Sequence, residues 1–127
     1  MYDWCYELLS DTNKDLFIEA FEATARRMQM GWPPTEQGAV TGHGVEGKLQ
    51  RDFMSAAIAV YDERPDIYNF VAGRFFAQFV PAKKFMYAAH SHNQGDSYFG
   101  YRFQWEMLGM LLFDGMGLPQ VYGPDQQ

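Results

Sequence analysis

Residues 65–81 read PDIYNFVAGRFFAQFVP, and the spacing of their apolar side chains decides the fold class. Ile67, Tyr68, Phe70, Val71, Phe75, Phe76 and Phe79 recur at helical intervals and leave only a narrow polar strip, with Arg74 and Gln78 on the same side as Ile67 and Val71. A helix is therefore expected from about Asp66 to Val80. Pro65 suits its first turn, where an amide would have no partner, and Asp66 sits near the positive end of the helix dipole. Pro81 is expected to close it and to open at most one more short turn through Met86.

Reading outward, residues 48–62 place Leu49, Phe53, Ala56 and Val60 on one stripe, with Lys48, Arg51, Asp52 and Ser55 opposite. Residues 13–30 do the same with Leu16, Phe17, Ala20, Phe21, Thr24 and Met28. Thr12 or Asn13 is the expected cap, Glu22 and Arg26 form an i,i+4 pair, and Gly31 with Pro33-Pro34 stops the helix. A short helix over residues 2–9 precedes it. Downstream, Asp96 or Ser97 is the expected N-cap of a last helix whose apolar residues, from Phe99 to Leu112, point in almost every direction. Gly115 and Gly117 are expected to end it.

These elements predict an all-α fold: a compact bundle of about five helices in a single domain over residues 1–127. The helices that begin near Asp66 and Ser97 form its centre. A long Gly/Pro-rich loop, residues 31–47, separates the second helix from the third, and residues 118–127 form a polar tail.

The chain has 127 residues, enough to close a core without staples. Its one cysteine, Cys5, has no partner for an internal disulfide, and no basic-then-apolar leader opens the sequence. A reducing, cytoplasmic setting is the expectation. Arg74, Gln78, Arg102 and Glu106 interrupt the two most apolar stretches before either reaches the ~20 residues of a membrane helix. A net charge of −6 with only 10 Lys+Arg disfavours a nucleic-acid surface, and the acids are scattered rather than massed as in a nucleic-acid mimic.

Three groups of residues bear on chemistry. Gly42-His43-Gly44-Val45-Glu46-Gly47-Lys48 satisfies two glycine patterns that cradle phosphates at a helix start. The strand that should precede such a motif is missing, Leu49 replaces the magnesium-binding hydroxyl, and Glu46 repels phosphate. Gly42, Gly44, Gly47 and Lys48 therefore read as linker first and phosphate site second. His90 and His92, in extended backbone, point to one side, so that His43 or Asp96 would complete a divalent metal shell. No established ligand spacing supports this, and no cofactor is expected. Arg74 and Gln78, and the pair Arg102 and Glu106, read as helix edges facing water or, alternatively, as a partner clamp.

With 17% aromatic residues and 8 Met, the chain is rich in the side chains that fill interface cores. The expected function is binding: a small accessory, assembly or inhibitor protein that buries an aromatic and Met-rich surface against itself or another macromolecule. The expected interface residues are Arg74, Phe75, Phe76, Phe79, Phe99, Phe103, Trp105 and Met107. The alternative is a metal-dependent or phosphate-handling enzyme built from the Gly42–Lys48 and His90–Asp96 loops.

Overall fold

The computed structural model describes residues 2–27, 49–88 and 95–118, and over these the chain is all-α, with no strand. A 3₁₀ turn over Asp3–Leu8 leads into α1, Asp11–Arg27. Leu49–Phe53 is a π turn that runs directly into α2, Met54–Ala59. α3 spans Pro65–Arg74, a second π turn Phe75–Phe79, α4 Val80–Tyr87, and α5 Asp96–Gly115.

The helix ends differ in detail from the sequence reading. Ser10, not Thr12 or Asn13, caps α1: its Oγ accepts from the Asn13 amide at 3.3 Å, so the helix starts ahead of its first strongly apolar residue. Gly95, at φ 74°, takes the N-cap place of α5, so Asp96 is already helical. At the far end Gly117 also sits at φ 74°, with the Leu118 amide bonded to the Phe113 carbonyl and the Gly117 amide to that of Asp114. Those two bonds close a Schellman motif, which needs a left-handed residue at that point, and Gly115 is the last residue of the helix.

Pro81 does not stop the chain. α3, the π turn and α4 form one continuous helical path, because backbone angles stay helical at Arg74, Phe75, Phe79 and Val80. A proline inside a helix lacks its own donor and crowds the carbonyl four residues back, here that of Ala77. The wide turn answers both problems: the Val80 amide reaches back five residues to the Phe75 carbonyl, and the helix opens just before the ring.

Of the stripe expected from the sequence over residues 48–62, Val60 is buried and Phe53 and Ala56 are half-buried, while Met54 and Ala57, each one residue further along, are buried. α1 is turned from its expected orientation. It buries Ile18 and Ala25, whereas Leu16, Phe17, Ala20 and Thr24 face outward, a rotation of roughly 100° from the expected stripe. Two contacts hold that orientation: Arg64 Nη2 donates to Glu22 Oε2 at 2.7 Å, and Phe21 stacks on Phe53 at 5.6 Å.

The core is centred on the helical path from Pro65 to Tyr87. Ile67, Val71 and Ala72 of α3 and Phe75 and Phe79 of the π turn are buried with Met54, Val60 and Phe113. Phe75 stacks against Phe79 at 5.6 Å and against Phe113 at 4.9 Å. α5, expected to share the centre, instead packs by one side only, through Trp105, Glu106, Gly109 and Phe113. Each fully enclosed ring here removes an area worth roughly 1.5–3 kcal/mol from water.

Tyr2 closes the other end of the core. Its ring is buried against Tyr6 and Phe17, and its hydroxyl donates to Glu63 Oε1 at 3.3 Å. Burial, then the Glu63 charge, pushes the Tyr2 phenol up to about 12. In an unfolded chain it ionises near 10. The unfolded state therefore loses its proton first, and the stabilisation, complete below about pH 10, is lost as pH rises through the folded value. A Tyr2→Phe variant is expected to lose this late step from the phenolate absorbance titration while keeping the other tyrosines; an unchanged titration would contradict it.

Candidate functional site

His43, His90, His92, Gly42, Gly44, Gly47 and Lys48 lie outside the described residues. Asp96 opens α5, but its side chain, like that of Arg102, also lies outside them. Among the described residues no group of three or more His, Cys, Asp or Glu side chains is arranged to hold a metal ion. No helix among them is long and apolar enough to cross a membrane.

The residues expected at an interface divide into two sets. Phe75, Phe79 and Trp105 are buried in the chain's own core, so their rings are already covered. Phe76, Phe99 and Met107 are exposed, and Phe103 is half-buried with its ring stacked on Phe99 at 5.1 Å. Arg74 is half-buried: its guanidinium lies 5.4 Å from the Phe70 ring centroid, its Nε donates to Gln78 Oε1 at 3.4 Å, and burial pushes it down from the ordinary arginine value.

Glu106 is not a helix edge facing water. It is 1% exposed, and its Oε1 lies 3.1 Å from Nζ of Lys83, which is 0% exposed. The contact is an ion pair rather than an aligned hydrogen bond at that oxygen. Lys83 Nζ also lies 5.3 Å from the Phe79 ring centroid. This pair ties α4 to α5, and the sequence reading misses it. A signal for it exists, since Phe75, Phe79 and Lys83 fall at i, i+4 and i+8, which puts Lys83 on the buried stripe and its neighbour Lys84 off it.

A charged network stands at the start of α3. Arg64 binds Asp66 through Nε and Nη2, both at 2.8 Å, and reaches Glu22, which also accepts from Arg26 Nε at 2.7 Å. Hydrogen bonds from Arg26 and Arg64 hold Glu22 below the usual carboxylate range, and Arg64 does the same to Asp66. The pairs of Arg26 with Glu22 and of Arg64 with Asp66 lie at the surface and that of Arg64 with Glu22 is half-buried; together they orient α1 against α3 and add little stability.

Among the described residues, two open apolar surfaces are formed by side chains that adjoin one another. One is a groove of about 420 Å³ between α1 and the Leu49–Ala59 helix, walled by Phe17, Phe21 and Phe53 and floored by Ala20 and Ala56. Leu16, at 58% exposed, stands on the outer side of α1. The other is the outer side of α5, where Met107, Leu108 and Leu111 are exposed, Leu111 at 59%. No protein-family model and no curated protein matches this chain.

Proposed function

We propose that this chain is a small accessory, assembly or inhibitor protein that acts by binding, through apolar surface left open by its own fold, to itself or to another macromolecule. The observation that supports this reading is the exposed side of α5. Met107, Leu108 and Leu111 adjoin one another there at helical spacing, and soluble chains rarely leave a contiguous apolar patch uncovered. Met is adaptable in such a place, because its unbranched side chain refits to a partner's shape.

An open binding surface predicts a separation between folding and association. Leu111→Glu on α5 and Leu16→Glu on α1 are each expected to change the urea midpoint by less than the equivalent of about 0.5 kcal/mol, measured at a dilution where the chain is alone. At least one of them removes association. The reading fails if both variants unfold, which would mean those side chains are packed, or if both bind as the wild type does.

A further inference from the structure

We infer that the buried pair of Lys83 and Glu106 is a rotational lock: it fixes which side of α5 turns into the core and therefore which side stays open. On the binding reading above, that open side is the one that meets a partner, and the pair is what presents it.

Apolar burial alone does not choose the orientation that α5 takes. Its inner side holds Trp105, Glu106, Gly109 and Phe113, which are two rings, a carboxylate and a glycine. A turn of roughly 80° about the helix axis, at about 100° per residue, would put Trp105, Leu108 and Leu112 there instead. Those three carry no charge. As the helix stands Leu108 is exposed and Leu112 half-buried, so the observed orientation encloses a carboxylate and leaves leucine surface outside. Burial of apolar area by itself favours the reverse exchange.

What the observed orientation has in its favour is Lys83. Its Nζ, brought from α4, is enclosed at 0% exposure and lies 3.1 Å from Glu106 Oε1. The energy of a charge pair falls as its members separate, and removing one partner of a buried pair is costly, so a turn of α5 that carries the carboxylate away from Nζ is opposed. Apolar contacts tolerate such a turn better. Leu and Met side chains refit, and cores lose a unique arrangement before they lose stability. The other contacts of α5 fit this division. Trp105, 5.9 Å from the Arg51 guanidinium, belongs to both sides and does not choose between them. Phe113, against Phe75 at 4.9 Å and Phe76 at 5.0 Å, favours the observed side, and Leu108 with Leu112 favours the other. The ion pair has no counterpart there. A buried polar group that registers one helix against another, at some cost in stability, has the same role in coiled coils.

The test compares the wild type with Lys83→Met/Glu106→Leu by nuclear magnetic resonance. Helical circular dichroism is expected to be unchanged, while the Trp105 indole N–H, one resonance in the wild type, gains a second position with at least about a tenth of the intensity, or loses about half its height to exchange. Trp4, on the N-terminal turn, keeps one resonance. The charge-swapped pair, Lys83→Glu with Glu106→Lys, is expected to return Trp105 to a single resonance; if the swapped chain does not fold, the apolar variant decides alone. A single sharp Trp105 resonance in that apolar variant overturns the lock, because packing then fixes the helix without the pair. An apolar variant that unfolds overturns it as well, because the pair then supplies stability rather than orientation. Neither readout needs a partner, so a wild-type chain that binds nothing overturns the binding reading and leaves the lock standing.

Discussion

Lys83→Met is expected to destabilise the chain by about 3–5 kcal/mol, because it leaves the Glu106 carboxylate enclosed with its cation gone. Both side chains are taken out of water, at 0% and 1% exposure, and their contact at 3.1 Å offsets that cost only while both are present. The asymmetry gives the prediction its force. Lys83→Met combined with Glu106→Leu replaces the pair by apolar groups of similar size and is expected to recover to within about 1 kcal/mol of the wild type, or above it. Urea denaturation of the two single variants and the double variant measures the cycle. A single substitution that costs less than about 1 kcal/mol would show that water reaches the pair.

Phe75→Ala is the second large effect, at about 3–5 kcal/mol. Phe75 touches Phe79 and Phe113 in near-parallel stacks and Phe76 edge-on at 5.2 Å, so truncation removes the ring around which the others are arranged. Phe76→Ala, on the exposed neighbour, is expected to cost clearly less, and the difference is read from the same denaturation curves. Equal losses at the two positions would mean that the π turn is rotated from the orientation described. An α-helical turn at Phe75–Phe79 would change which rings face inward, so this pair of variants also tests the widened backbone ahead of Pro81.

Which elements form is legible in the sequence, and which side of each faces in is less so. The run from Pro65 to Phe79 announces a helix because its apolar residues recur at helical spacing, and its rings do form the core. The two π turns leave no recognised mark. Pro81 reads as a stop when the i−4 hydrogen bond is assumed, and only a five-residue bond from Val80 to Phe75 lets the helix continue. Beyond Phe53 burial goes to Met54 and Ala57 as well as to the expected Val60. In α1 the stripe of Leu16, Phe17, Ala20 and Thr24 is visible as amphipathic character. Burial instead goes to Ile18 and Ala25, since Arg64 and Phe53 fix the helix from the side.

The candidate surface is legible in kind and only partly in place. An aromatic and Met-rich composition signals rings and thioethers beyond what a small core encloses. It does not say which ones remain outside. Phe75, Phe79 and Trp105 go into the core, while Leu108 and Leu111, absent from the expected interface, stand out on α5. A helix with apolar groups all round gives no phase of its own. The phase of α5 is set by Lys83 meeting Glu106 and by Phe113 meeting Phe75, contacts between segments far apart in sequence.

Light scattering of the wild-type chain from about 1 to about 100 µM tests most directly whether its open surface binds a second copy of the chain. The mass is predicted to rise with concentration from one chain to two and to stay at one for Leu111→Glu. A constant single-chain mass over that range, equal to that of the variant, would contradict self-association through α5.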